Sequence, residues 1–175
     1  MLSLAEHQNA MLDLLKGRPC PPIDDAYLAR IEGSPELDLL REVAVFWRML
    51  AIESGCPWLA QLLKRRGELE HAVEAFYRAE DVSPYAERAT EQFVSRLSAS
   101  TDSLIAHMAA TEGALIRVRR GDAQPFALDW DRNPNLVFEA LGSGGGLPPP
   151  EEGCVYRLHI ARDLPGLVRC ERIVL

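Results

Sequence analysis

The stretch Arg117-Val118-Arg119-Arg120-Gly121-Asp122-Ala123-Gln124-Pro125-Phe126-Ala127-Leu128-Asp129-Trp130 decides the fold, because the chain changes character inside it. Before it, apolar residues recur at helical spacing, with start and stop signals between the runs. After it, Phe126 to Trp130 sets aromatic and aliphatic residues about Asp129, as a short strand does. The pattern predicts an α+β chain, mainly α. A helical bundle over 1–120 is expected to serve as scaffold and docking surface, and a small α/β tail over 121–175 to carry recognition.

Working back from the break, each helix has its punctuation. Ser3 and Glu6 have capping-box spacing, and Gly17 stops a run in which Leu4, Met11, Leu14 and Leu15 share a face. A loop over 17–22 and a short helix over 23–32, ending before Gly33, are expected next. Ser34 caps a longer helix with Pro35 at its first position, where a missing N–H costs nothing. Leu39, Val43, Phe46 and Leu50, beside Leu40, Trp47 and Ala51, form a broad stripe there. The stripe predicts a central, buried helix, with Phe46 and Trp47 as core rather than as walls of a ligand groove. Gly55 ends it, and Pro57 opens a helix through Trp58, Leu59, Leu62 and Leu63 to Gly67. Leu69, Val73 and Phe76 mark another. Ser83-Pro84 restarts the pattern for Ala86, Ala89, Phe93 and Leu97, and Thr101 is expected to cap a helix through Leu104, Ile105, Met108 and Leu115. Short connections imply antiparallel or steeply crossed helices in one bundle.

Working forward, Asn133-Pro134 is a helix start, and Leu136, Val137, Ala140 and Leu141 complete about two turns. The run from Gly142 to Pro150 lacks the glycine spacing and the following helix of a phosphate-binding loop, so 142–153 reads as a linker, flexible and then stiff. Cys154 to Ala161 alternates, with Tyr156, Leu158 and Ile160 on one face and Arg157 and His159 on the other. Asp163-Leu164-Pro165-Gly166 supplies a turn, and Leu167 to Val174 returns. A lone hairpin is marginal. It therefore lies on the helices, joins Phe126–Trp130 in a sheet, or receives a strand from a partner, which is one way to bind an extended peptide.

Composition narrows the function classes. The chain of 175 residues can bury a core, and 47% hydrophobic with 26% charged residues is ordinary globular content. A formal charge of −7 opposes non-specific nucleic-acid binding. The basic runs Lys64-Arg65-Arg66 and Arg117 to Arg120 read as solvated helix ends. Cys20, Cys56, Cys154 and Cys170 are scattered without a C-x-x-C pair, as free thiols in a reducing cytoplasm would be. Glu6 and Asp13 interrupt the N-terminal apolar run, so it does not read as a signal peptide. No run approaches the roughly 18 apolar residues of a membrane span.

No catalytic or metal-ligating set is expected. His7, His71, His107 and His159 are far apart, whereas a metal site needs three or four convergent ligands. His71 with Glu70 and Glu74, and His107 with Glu112, read as exposed helix positions. His159 faces either Cys170 or Arg169, depending on hairpin register, and a thiol enzyme built on Cys154, Cys170 and His159 would require an activated thiol. G-x-S-x-G, P-loop and H-E-x-x-H motifs are absent.

The run Cys56-Pro57-Trp58-Leu59-Ala60-Gln61-Leu62-Leu63, then Gly67, Val73-x-x-Phe76-Tyr77, Phe93-x-x-x-Leu97 and Ala109-x-x-Glu112-x-Ala114-Leu115 resembles the helical module of a bacterial family labelled DNA-binding. That module is associated with multinuclear non-heme iron oxidases, and its relatives include small partner subunits in methanobactin and thiaglutamate peptide biosynthesis (RiPP biosynthesis). Asn133-Pro134, Val137 and Ala140-Leu141, then Leu164-Pro165-Gly166-Leu167-Val168-Arg169-Cys170, are similar to the C-terminal part of those partners. The resemblance covers roughly residues 55–175.

It implies a heterodimer in which a partner oxidase holds the iron and oxidises a cysteine of a ribosomally made precursor peptide. This chain, with no cofactor of its own, would hold that subunit active and capture the peptide's leader. Arg157, Arg169 and Arg172 would then complement an acidic leader, Val155, Leu167 and Val168 would give apolar contact, and His159 lies on the same hairpin. Two rival readings are a transcriptional regulator, with a helix-turn-helix around 58–66 and 69–78, and the thiol enzyme above.

Overall fold

The computed structural model describes residues 3–18 and 25–175. Cys20 and the start of the expected 23–32 helix lie outside the described residues. The fold is α+β and mainly α, with eight α-helices and one small antiparallel sheet among the described residues. In chain order the elements are α1 (Leu4–Lys16), α2 (Ala26–Glu32), α3 (Pro35–Gly55), α4 (Pro57–Arg66), α5 (Leu69–Ala79), α6 (Ala86–Leu97), α7 (Ser103–Arg119), β1 (Phe126–Trp130), α8 (Pro134–Ser143), β2 (Cys154–Ile160) and β3 (Val168–Val174).

Local chemistry explains most boundaries. Ser3 and Glu6 close a reciprocal capping box on α1, and Gly17 ends it with φ 63°, a left-handed conformation that glycine adopts without a Cβ clash. Ser34 caps α3 and Asn133 caps α8, each followed by proline. Two starts differ from the sequence reading. Asp102, not Thr101, caps α7 by accepting from the Ile105 N–H, and α6 follows Tyr85 with no side-chain cap at all. Carboxylate acceptors at an N-cap gain from the helix dipole as well as from the hydrogen bond, which favours Asp102 over the neighbouring hydroxyl.

The core is continuous across residue 120. Leu59, Leu62, Leu63, Phe93, Met108 and Val118 of the helices bury in one cluster with Trp130, Val137, Leu141, Leu158 and Ile160. A separate small cluster, Leu14, Leu28 and Leu37, joins α1 and α2 to the start of α3.

The expected central helix is half uncovered. On α3, Leu37 and Ile52 are buried, but Leu39, Leu40, Val43, Phe46, Trp47 and Leu50 are exposed, Trp47 by 65%. Periodicity identified residues sharing a face; the buried face is the opposite one, and the stripe looks outward. Where α3 meets α6 the fit is close: a Cβ on Gly55 would lie 2.5 Å from Thr90 Oγ1 and 2.7 Å from its Cγ2. Thr90 is itself pinned, donating to the Ala86 carbonyl at 2.9 Å. Gly55→Ala, normally favourable in a helix, is therefore expected to destabilise by roughly 1–2 kcal/mol, seen as a lowered urea midpoint.

Candidate functional site

Among the described residues the sheet order is β1-β2-β3, so β3 is an edge strand there. The register pairs Phe126 with Ile160, Leu128 with Leu158 and Trp130 with Tyr156, and across the hairpin Leu158 with Cys170 and His159 with Arg169. Directly paired residues share a face. One face, with buried Cys154, Tyr156, Leu158 and Ile160, packs toward the helical core. The other carries Asp129, Val155, Arg157, His159, Arg169, Glu171 and Ile173.

Hydrogen-bond parity along the edge follows from the two ends of the hairpin. The Ala161 N–H donates to Leu167 O at 3.0 Å, and the Leu175 N–H donates to Gly153 O at 3.0 Å. Bonded and non-bonded pairs alternate in an antiparallel ladder. Arg169, Glu171 and Ile173 thus spend their main-chain groups on β2, while Val168, Cys170, Arg172 and Val174 turn N–H and C=O outward along the free edge.

The seven candidate peptide-binding residues do not form one surface. Val155, Arg157, His159 and Arg169 share the outer face. Val168 and Arg172 belong to the opposite face, and Leu167 sits in the turn with φ 69°, a conformation that costs a branched side chain about 1 kcal/mol. Their charges are largely engaged. Arg157 forms a two-pronged pair with Asp129 at 2.7 and 2.9 Å, which lowers the Asp129 pKa. Arg172 pairs with Glu151, which also accepts from the Tyr156 hydroxyl. His159 Nε2 lies 3.6 Å from Glu171, and Arg169, 67% exposed, only reaches that carboxylate at 4.0 Å. Arg169 is the least committed cation of the set.

The register also separates the thiol candidates. His159 lies on the outer face, Cys154 and Cys170 on the core face, and burial pushes the Cys170 thiol up, opposite to activation. Cys56 is fully buried, and burial together with nearby Glu112 raises its pKa strongly.

A polar knot joins sheet and helices where α7 meets the end of β1. Asp131 accepts from Ser103 Oγ at 2.6 Å and from Arg132 Nε at 2.7 Å, and the Arg132 contact foremost holds its carboxyl down at about 2. His107 Nδ1 lies 3.7 Å from Asp131, and its ring stacks on Trp130 at 5.4 Å. Burial lowers the His107 pKa despite that carboxylate. Ser103 bonds Asp131 rather than His107, so this is not the geometry of an activated serine. Arg132 instead reaches the Pro148 carbonyl at 3.3 Å, and the Glu151 N–H donates to Asp131 O at 2.8 Å. The segment expected as a linker is thus fastened along its length. Arg65 adds bonds to the carbonyls of Ala140, Gly144 and Gly145 at the end of α8.

Neither basic run forms an open cationic face. Lys64 pairs with Glu53, Arg66 with Asp102, Arg117 with Asp122, and Arg120 with Glu87 and Glu91. His71 is exposed, as expected, but Glu112 is 1% exposed and accepts from the Trp58 N–H at 2.7 Å, at the uncapped start of α4. The motif residues Cys56-Pro57-Trp58 and Glu112 therefore meet as a structural device. Among the described residues no group of three or more His, Cys, Asp or Glu converges to hold a metal ion, and no helix is long and apolar enough to cross a membrane. Comparisons with protein-family models, with curated proteins and with solved structures gave no match.

Proposed function

We propose that this chain is a non-catalytic accessory subunit that pairs, in the cytoplasm, with an iron-dependent oxidase and binds the leader of a ribosomally made precursor peptide. Its role is to present a cysteine of that peptide for oxidation, with the iron supplied by the partner subunit. The observation that carries the reading is the free edge of β3, whose outward N–H and C=O groups at 168, 170, 172 and 174 suit strand addition. The motif resemblance supplies the identity of partner and peptide. The engaged state of Arg157 and Arg172 leaves Arg169 as the charge that meets an acidic leader.

The experiment separates main chain from side chain. Arg172→Pro deletes one outward N–H, at an edge position where proline spares the β2 ladder. Arg172→Ala deletes only the side chain and its pair with Glu151. With a fluorescein-labelled precursor leader, Arg172→Pro is expected to weaken binding about tenfold beyond Arg172→Ala, the worth of one well-formed main-chain bond with its orphaned partner. Equal affinities for the two variants, or no binding by the parent chain alone or with the oxidase, would sink strand addition here.

A further inference from the structure

We infer that the outward face of α3, with the groove between α3 and α5, is a docking site for an amphipathic helix of another protein that carries lysine or arginine along one flank. At 3.6 residues per turn, Leu39, Leu40, Val43, Phe46, Trp47 and Leu50 fall on one side of α3 and run about 16 Å along it. All six are exposed, between 39% and 65%. A helix apolar on both sides normally has both sides covered; among the described residues only the side bearing Leu37 and Ile52 is. Beside the stripe lies a groove of about 510 Å³, bounded by Leu39, Val43, Phe46 and Met49 of α3 and by Glu70 and Glu74 of α5.

Charge selects the occupant. Two cations also line the groove, but both are used within the chain: Arg41 donates to the Leu14 carbonyl and to Asp38, and Arg78 to Glu74, while nearby Arg48 donates to the Ser83 carbonyl. Glu42 and Glu70 stand exposed on the rim with no ion-pair partner among the described residues. An apolar floor with an unpaired acidic rim complements apolar anchors flanked by basic residues. A second copy of this chain fits less well, because it brings the same acidic rim against itself. The oxidase subunit is the natural source of such a helix, and to that extent the inference rests on the reading above. It uses none of the sheet residues, so either can fail alone.

The test uses a designed helix of about 18 residues, long enough to span the stripe, with leucine on one face and lysine on its flank, and a twin with glutamate in place of lysine. By fluorescence anisotropy, the lysine peptide is expected to bind the full chain at least about tenfold more tightly than its twin. Glu42→Lys with Glu70→Lys is expected to erase most of that preference, whereas Glu152→Lys, an exposed acid in the tail, changes it less than about twofold. Val43→Asp is expected to abolish binding of both peptides. The paired lysine variant leaves the apolar face untouched and stays decisive if Val43→Asp disturbs folding. Equal binding of the two peptides overturns the inference, as does an equal loss with Glu152→Lys. A concentration-dependent dimer of the chain alone, dispersed by Val43→Asp in sedimentation velocity, would assign the face to a second copy and overturn it too.

Discussion

Trp130→Ala is expected to lower folding stability by about 3–5 kcal/mol, the range for removing a large aromatic from a packed core. Trp130 ends β1 and is 1% exposed. Its ring stacks on His107 of α7 and meets Phe138 of α8 at 6.1 Å, and Phe138 in turn meets Trp58 of α4 at 5.3 Å. Trp130 thus couples the sheet directly to α7 and α8 and, through Phe138, to α4, and its loss opens a cavity among them. Trp130 Nε1 has no hydrogen-bond partner among the described residues. Trp130→Phe removes that stranded donor along with some volume, so it should cost far less, about 1 kcal/mol. Urea denaturation followed by far-ultraviolet circular dichroism checks both. Similar costs for the two variants would mean that ring packing is not what Trp130 contributes.

The second large effect is at Glu112. Its carboxylate serves as the N-cap that α4 lacks in its own sequence, because Cys56 makes no side-chain cap bond. Glu112→Ala strands the Trp58 N–H and leaves a void, for an expected cost of roughly 2–4 kcal/mol at neutral pH. Glu112→Gln keeps an acceptor and removes a buried charge. Burial raises the Glu112 pKa above its ordinary 4.5. The folded chain therefore holds this proton more tightly than the unfolded chain. That contribution to stability is complete below the ordinary value and is lost as pH rises through the raised one. The stability of Glu112→Gln relative to the parent should consequently increase from about pH 4 to about pH 8. A flat difference over that interval would show that the carboxyl is not perturbed. Asp131, whose pKa is depressed to about 2, acts oppositely, stabilising at neutral pH and losing that effect only in strong acid; it cancels from the comparison.

Features written in adjacent residues were legible in the sequence. The Ser3–Glu6 box, the Gly17 stop, Pro35 and Pro57 at helix starts, and the alternation of Cys154 to Ile160 each depend on neighbours a few positions away. What depends on distant residues was not. The cap of α4 comes from α7, 54 positions along the chain. Arg65, one of a run read as solvated, reaches carbonyls 75 to 80 positions away, and nothing local marks it. The α3 stripe shows the same limit from the other side: spacing tells which residues point together, but not whether anything lies over them. For the candidate site, alternation already placed Arg157 and His159 on one face. Hairpin register, fixed by the turn and by the β1 pairing, decided that His159 opposes Arg169 and that Cys170 turns the other way.

The parity of β3 has an experimental corollary. The residues that turn main-chain groups outward, Val168, Cys170, Arg172 and Val174, keep the same N–H and C=O with any side chain but proline's. Alanine scanning would pass over the edge without registering it, reporting Arg172's pair with Glu151 and the packing of Val168 and Cys170. Backbone changes such as proline substitution, N-methylation or ester replacement at alternate positions would register it. For the same reason, chains sharing no side chain with this one over 168–174 could still offer an identical row of donors and acceptors, so that likeness of this surface need not be written as likeness of sequence.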